Sequence, residues 1–184
     1  YTDSTKLATR INIYDFTSAG DRKKDNIIAD FEYRDTICPQ VEFFSDGRAY
    51  AFTDSGVRIF SSGKSAKEDA KVSVKYDIDS VISGDSGFAL IHRDSSNRKI
   101  LTVYSEDGKK NFSMKLHKSY EKCSILENDQ ILVKSGKLIE IFGKNGHKRF
   151  SYRFPDDVVA FVPAEEQREF FLVQRDSTGI IRIS

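Results

Sequence analysis

The amino-acid sequence predicts an all-β fold in which a four-stranded antiparallel sheet is repeated along the chain. An apolar alternation ending in an aromatic residue surrounds Ile13, Ile59, Val103 and Ile141, and a shortened copy surrounds Ile183. The intervals between these positions are 46, 44, 38 and 42 residues. Val, Ile, Phe and Tyr alternate with polar residues, and Gly, Asp, Asn and Ser separate the segments, as in strands joined by tight turns. Because periods of about 40 to 45 residues are typical of β-propeller blades, the sequence predicts a β-propeller.

Each predicted blade has four strands, a to d, in chain order. The clearest copy has strands "QVEFF", "RAYAFT", "VRIFSS" and "AKVSVKY", with the linker "GKSAKED" before the last. The first copy is partial, with strand c "LATRINIYDF" and strand d "NIIADFEY", and the last copy stops after strand c. We therefore expect one propeller domain of about four and a half blades. The predicted blades are residues 1–36, 37–76, 77–118, 119–154 and 155–184.

Both ends of the chain fall inside a blade, which leaves sheet edges that need a partner. Three arrangements are open. In the first, "NIIADFEY" lies beside "IIRIS" and closes a four-bladed ring. In the second, the chain is part of a larger, incomplete ring, and in the third, two copies meet edge to edge. The second is favoured because both ends interrupt repeats, and we expect the isolated chain to self-associate through its open edges.

Charge and hydropathy exclude two classes of partner. Lys and Arg number 29 against 28 Asp and Glu, and they are scattered, so no basic stripe for nucleic acid is present. No apolar run approaches the roughly 18 residues of a membrane span, and residues 1–20 lack the pattern of a signal peptide. The chain begins with Tyr1 rather than Met, so we expect an upstream segment, with a targeting or anchor sequence, to be absent.

Two cysteines, Cys38 and Cys123, are 85 residues apart and have neither CxxC spacing nor a nearby histidine. Their pairing cannot be deduced from spacing, so a disulfide and two free thiols both remain open. The three histidines, His92, His117 and His147, lie at dissimilar positions in different repeats, so no metal site is expected.

Residues 46–64, "DGRAYAFTDSGVRIFSSGK", resemble one blade of the NHL-like and YVTN-like propellers. The whole chain is similar to the C-terminal half of bacterial membrane-anchored propeller proteins of uncharacterised function. This resemblance implies an extracytoplasmic location, a tether outside this chain, and no activity. The chain has no tryptophan, so it departs from the quinoprotein and WD40 repeats, and no cofactor is expected.

An Asp-Ser pair recurs at the turn between strands b and c. The copies are Asp3-Ser4, Asp54-Ser55, Asp94-Ser95 and Asp176-Ser177. Arg93 and Arg175 precede two of these pairs, whereas the third full blade has "KSG" instead. These turns lie at equivalent positions, so Asp54, Arg93, Asp94, Arg175 and Asp176 are the candidate binding residues. They either form a rim for a polar ligand or cation, or each Asp caps its own turn.

Two other recurring features have both a functional and a structural interpretation. Lysines follow strand c on the opposite face, where they either form a basic rim or keep blade edges soluble. These are Lys64, Lys109, Lys110, Lys144 and Lys148. The pairs Phe43-Phe44 and Phe170-Phe171 are expected to place one ring each into the core, because side chains alternate along a strand.

The function predicted from these features is a non-catalytic binding or scaffold module that presents a propeller face to a protein or a glycan. It is expected on the extracytoplasmic side of a bacterial membrane. The alternative is a carbohydrate hydrolase or lyase, which needs two or more of Asp54, Asp94 and Asp176 within about 5 to 10 Å of each other. A third interpretation is a structural or sensor repeat without a small ligand.

Overall fold

The structure, a computed structural model, describes residues 8–14, 27–34, 37–38, 40–43, 48–61, 67–75, 77–126, 128–164 and 168–183. Within these ranges the chain forms β strands and turns, and every strand pairing is antiparallel. The predicted all-β propeller class is confirmed. None of the described segments forms a helix that is long and apolar enough to cross a membrane.

The chain divides into two compact units. The first comprises residues 1–78 and 107–109, and the second comprises residues 79–106 and 110–184. The first unit holds a two-stranded sheet, β1 (Ala8–Tyr14) and β2 (Ile27–Arg34), and a four-stranded sheet. The strands of that second sheet, in spatial order, are β3 (Gln40–Phe43), β4 (Arg48–Thr53), β5 (Gly56–Ser61) and β6 (Lys67–Ser73).

The second unit is built from three sheets that follow one another in the sequence. The third sheet is β7 (Ile78–Gly84), β8 (Gly87–Arg93), β9 (Lys99–Ser105) and β10 (Lys110–Lys115). The fourth sheet is β11 (Lys122–Ile125), β12 (Ile131–Ser135), β13 (Leu138–Phe142) and β14 (Lys148–Arg153). The fifth sheet has three strands, β15 (Val158–Pro163), β16 (Glu169–Gln174) and β17 (Thr178–Arg182).

Alternation along β1 and β2 builds the core of the first unit. Ile11 and its cross-strand partner Phe31 lie on the face that packs against the second sheet, and the Phe31 and Phe60 rings are 4.8 Å apart. The intervening residues Arg10 and Asp30 point away and form an ion pair. One face of this two-stranded sheet is therefore apolar and the other is charged.

In the second unit, the fourth sheet has apolar clusters on both of its faces. Leu101 and Val103 of the third sheet pack with Ile131 and Val133 on one side. The cluster shared with the fifth sheet is formed by Leu132, Ile139, Ile141, Phe154, Val158, Phe161, Phe170 and Leu172. Strands buried on both faces require near-continuous apolar sequence, which explains "QILV" and "LIEIF" in the fourth sheet.

Two positions require glycine because a backbone or side-chain atom of another strand lies where a Cβ would be. Gly56 has φ +143°, and a Cβ there would lie 1.9 Å from the carbonyl oxygen of Val72 on the neighbouring strand. Gly146 has φ +79°, and a Cβ there would meet the Phe112 ring at 2.8 Å. The turns "DSG" and "KNG" therefore use glycine for geometry that other residues adopt at a cost.

Three sequence expectations need correction or completion. β6 begins at Lys67, inside the predicted linker, because Glu68 pairs with Phe60 across a bulge and is held by two side chains described below. "NIIADFEY" contributes β2, which pairs with β1 in the two-stranded sheet. Cys38 and Cys123 are both free thiols. The single-domain prediction and its blade boundaries stay predictions.

Candidate functional site

Asp94 caps its own turn. Its Oδ1 accepts hydrogen bonds from the backbone N–H of Ser96 at 2.8 Å and of Arg98 at 2.9 Å. Its Oδ2 accepts from the Arg98 guanidinium at 2.8 Å. The backbone and side-chain hydrogen bonds from Arg98 lower the pKa of this carboxyl to about 2. These hydrogen bonds are those of an Asx turn, in which the Asp carboxylate closes its own turn.

Arg93, the predicted partner of that turn, is part of a structural ion-pair group. Its guanidinium donates to Asp79 Oδ1 at 3.2 Å and to Asn97 Oδ1 at 3.0 Å. Lys99 also approaches Asp79, at 3.7 Å, and lies 5.3 Å from the centre of the Tyr120 ring. These contacts tie β7 to the turn between β8 and β9, so the guanidinium is already engaged.

The other copies of the Asp-Ser turn differ from Asp94. In the first unit, Asp54 accepts a hydrogen bond from the backbone N–H of Ile37 at 3.3 Å, and its own N–H donates to the Ile37 carbonyl at 3.0 Å. In the second unit, Arg175 and Asp176 are exposed, and neither makes a hydrogen bond or ion pair with another described residue. Asp3-Ser4 lies outside the described residues. The described copies of this turn therefore differ in the contacts of their Asp side chains.

The turns do not form a cation site in the part of the chain that the structure describes. No group of three or more His, Cys, Asp or Glu side chains is arranged to hold a metal ion there. Asp54 belongs to the first unit, whereas Asp94 and Asp176 belong to the second. The five candidate binding residues remain a prediction, with Arg93 and Asp94 held in local contacts.

A cavity that the sequence analysis missed lies in the second unit, between the third and fourth sheets. Its volume is about 430 Å³. Its apolar lining includes Phe88, Tyr104 and Ile125. The polar lining is formed by Ser86, Ser105, Asn111, Asp129, Lys144 and Asn145. Pockets of roughly 300 to 1,000 Å³ with a few convergent polar groups are typical of small-ligand sites.

The hydrogen-bonding groups of the cavity come from equivalent turns of two successive blades. Ser86 follows β7, and its hydroxyl donates to the Asp129 carboxylate of the turn between β11 and β12. Asn145 Oδ1 accepts from the His147 backbone N–H at 3.2 Å, which shapes the turn that carries Lys144. Lys144 is exposed and has no ion-pair partner among the described residues. The cavity therefore offers a free ammonium group, an anchored carboxylate, carboxamides and hydroxyls.

The lining of this cavity is spread over turns that share no sequence pattern. Lys144 was predicted only as one of several lysines after strand c. The side chains converge because the turn after strand a and the turn after strand c lie at the same end of each sheet. Among the other lysines after strand c, Lys148 is paired with Glu140 at 2.5 Å, which favours the interpretation that it keeps the blade edge soluble. Lys64 lies outside the described residues.

The aromatic pairs follow the predicted alternation where both members are described. Phe170 is buried in the cluster between the fourth and fifth sheets, whereas Phe171 is 46 % exposed. Phe43 is 78 % exposed, and Phe44 lies outside the described residues. The prediction is confirmed for the pair at Phe170.

Solved β-propeller structures share this fold at low sequence identity. A crystal structure of BBS1N in complex with ARL6DN has 15% identity and a TM-score of 0.52, over 83% of this chain and 54% of that one. BamB from Moraxella catarrhalis has 16% identity and a TM-score of 0.52, over 80% and 47%. The dihydro-heme d1 dehydrogenase NirN in complex with DHE has 14% identity and a TM-score of 0.56, over 85% and 37%.

These likenesses establish the propeller fold and carry no activity to this chain. The chain spans about half the length of the first two of these structures and less of the third. No curated protein sequence matches it. Residues 1–183, however, match one family over almost the whole chain, and the chain therefore belongs to DUF5711, a family of unknown function.

Proposed function

We propose that this chain is a non-catalytic binding module on the extracytoplasmic side of a bacterial membrane. It presents the cavity between the third and fourth sheets to a glycan. The single observation that carries the proposal is the lining, in which hydrogen-bonding side chains surround the cavity and Asp129 is the one carboxylate among the described lining residues. Neutral sugars are bound by such combinations of amides, hydroxyls and charged groups placed beside apolar surface.

The same lining argues against cleavage of the ligand. Glycoside hydrolases place two carboxyl groups roughly 5 to 10 Å apart around the scissile bond. Here Asp129, which accepts a hydrogen bond from Ser86, has no second carboxylate beside it among the described lining residues. Asp94, a candidate acid of the hydrolase or lyase alternative, is held ionised in its turn. A binding module needs only the polar contacts that the cavity offers.

The location and the tether rest on the resemblance to membrane-anchored propellers. The nearly balanced charge and the absence of a basic stripe are compatible with a surface that contacts neutral polymers rather than nucleic acid. A protein partner is the second candidate, since propeller faces suit both kinds of ligand. Fractionation of the source cells, followed by protease treatment of intact cells or spheroplasts, tests the location: a chain protected in intact spheroplasts contradicts it.

A glycan array probed with the 184-residue chain, followed by calorimetric titration of the best glycan, tests the binding. Lys144→Ala with Asn111→Ala is expected to weaken affinity by about 10-fold or more, since each lost hydrogen bond to a charged or polar group contributes about 1 kcal/mol. Lys115→Ala, at an exposed lysine on β10 of the same unit, is the matched control. Equal affinity in the double variant and the control, or release of reducing ends from the glycan, contradicts the proposal.

A further inference from the structure

The cavity between the third and fourth sheets is lined by two opposite charges that do not pair with each other. Asp129 and Lys144 both line it, and Lys144 forms no ion pair with Asp129 or with another described residue. Asp129 lies in the turn between β11 and β12, and Lys144 lies in the turn between β13 and β14. These turns are two strand spacings apart in the fourth sheet, which is about 10 Å. The cavity therefore has a carboxylate towards one side and an ammonium group towards the other.

The Asp129 carboxylate is not used to close the turn that carries it. The backbone closes this turn, since the Leu126 N–H donates to the Gln130 carbonyl at 2.8 Å and the Asp129 N–H donates to the Leu126 carbonyl at 3.0 Å. Its side chain accepts one hydrogen bond, from Ser86, and an ionised carboxylate has about four acceptor positions. Asp94 differs, because its carboxylate accepts hydrogen bonds from its own turn. The Asp129 carboxylate can therefore accept further hydrogen bonds from a ligand.

The Lys144 ammonium group is likewise not used by its own turn. The Gly143 N–H donates to the His147 carbonyl and the Gly146 N–H donates to the Gly143 carbonyl, each at 2.8 Å. The side chain of Asn145 accepts from the His147 backbone N–H at 3.2 Å. Lys144 is exposed, so its ammonium group can meet an anionic group of a ligand.

The lining between the two charges combines apolar and carboxamide groups. The Tyr104 and Phe88 rings are stacked, with centroids 5.1 Å apart and an interplanar angle of 16°, and Ile125 adds a further apolar side chain. Asn111 lies at the bulge of β10, and bulges redirect side chains away from the regular alternation of a strand. Sugar rings present apolar faces and polar edges, which such a lining can contact together.

We propose that the glycan bound in this cavity is zwitterionic, with a protonated amine at Asp129 and a carboxylate at Lys144. This inference rests on the proposed function, glycan binding at the same cavity. A ligand with both charges makes two charge-assisted contacts. A ligand with one charge leaves the other charge of the protein without a partner when water is displaced, which costs free energy. An unacetylated amino sugar next to a uronic acid has this chemistry and carries no net charge.

The probe is a tetrasaccharide of alternating glucosamine and glucuronic acid, titrated calorimetrically against the 184-residue chain in weakly acidic buffer. N-acetylation of the probe removes its ammonium groups, reduction of its carboxyl groups removes its anions, and both modifications together give a neutral glycan. We expect each single modification to raise the Kd about 10-fold, because the loss of one hydrogen bond between charged groups commonly has this effect.

Two variants assign each charge of the ligand to its partner. Asp129→Asn keeps a residue type that tolerates φ +60° and an oxygen that accepts from Ser86, and it should bind the N-acetylated and free-amine probes equally. It should still prefer the carboxylate. Lys144→Gln should lose the preference for the carboxylate alone. Lys115→Gln, at an exposed lysine on β10, is the matched control and should keep both preferences.

Equal affinity of the parent chain for the neutral and zwitterionic probes overturns this inference. So does an unchanged preference for the free amine in Asp129→Asn, with circular dichroism showing a parent-like fold, and so does a failure of all four probes to bind. If an uncharged glycan from the array binds in any of these cases, the proposed function stands, so the two failures are distinguishable.

Discussion

One charged residue, Glu68, adds polar contacts to the apolar packing between the two sheets of the first unit. Glu68 Oε2 accepts a hydrogen bond from the Tyr33 hydroxyl at 2.5 Å, and Glu68 Oε1 accepts from the Arg58 guanidinium at 2.8 Å. Arg58 also lies 4.2 Å from the centre of the Tyr33 ring. The side chains of Arg58 and Glu68 are 17 % and 25 % exposed. Tyr33 belongs to β2 and the other two residues belong to the second sheet, so this group joins the sheets.

We expect Glu68→Gln to lower the free energy of unfolding by about 2 kcal/mol. Breaking a fully buried ion pair costs roughly 3 to 5 kcal/mol, whereas an exposed pair contributes about 0.2 to 1 kcal/mol, and this pair lies between those limits. Tyr33→Phe removes one hydrogen bond and is expected to cost about 1 kcal/mol. Tyr33 and Arg58 both bind Glu68. The variant that combines Glu68→Gln with Tyr33→Phe should therefore lose less free energy of unfolding than the two single losses added together, by about 1 kcal/mol.

The assay is urea unfolding of the 184-residue chain, monitored by tyrosine fluorescence and circular dichroism. Lys67→Gln is a suitable control, because its contact with Asp69 is long at 3.6 Å and the Lys67 side chain is exposed. A loss below about 0.5 kcal/mol for Glu68→Gln, equal to that of the control, would refute the reasoning. Strict additivity in the double variant would show that the two contacts act independently.

The remaining predictions concern single positions. Alanine at Gly56 should cost about 3 kcal/mol or more in urea unfolding, because its Cβ has no room beside the neighbouring strand. The pKa of Asp94 is lowered to about 2, so its stabilising effect is present above the ordinary pKa of 3.8 and is lost as pH falls toward 2. In Asp94→Asn the free energy of unfolding should therefore decrease less as pH falls below 3.8, as followed by urea unfolding at several pH values. Burial raises the pKa of Tyr33, so as pH rises the tyrosine ionises in the unfolded chain before it ionises in the folded one. The free energy of unfolding should therefore fall above pH 10, and this fall should be smaller in Tyr33→Phe. Burial raises the pKa of Cys123 to about 12, so a thiol reagent should label Cys38 first and Cys123 only on unfolding.

The repeat pattern predicted the strands because the apolar alternation and the turn residues agree locally. "RAYAFT" and "VRIFSS" form β4 and β5, and the turn between them needs Gly56. β6 was placed too late, because "KED" has the composition of a loop and is held as a strand by contacts with Tyr33 and Arg58. Those partners are far away in the sequence, so a local pattern carries no information about them.

Candidate sites were harder to predict than strands for a related reason. The Asp-Ser turns were singled out because they recur, yet Asp94 uses its carboxylate to close its own turn. The cavity was missed because its lining comes from turns of two blades that share no sequence signature. Likewise, "EFFLVQ" predicted one buried and one exposed phenylalanine, but only the sheet order shows that Phe171 lies on an uncovered face.

Residues that recur in every blade are constrained by what every blade must do, which is to turn a hairpin and bury an apolar face. A residue that binds a ligand or a partner does not have this structural role, so it needs to occur in one blade only. At the equivalent turns of the third sheet, the positions of Asp129 and Lys144 are occupied by Ser86 and Glu106, which are residues of a different type. Positions that depart from the repeat are therefore those at which substitution should separate binding from folding.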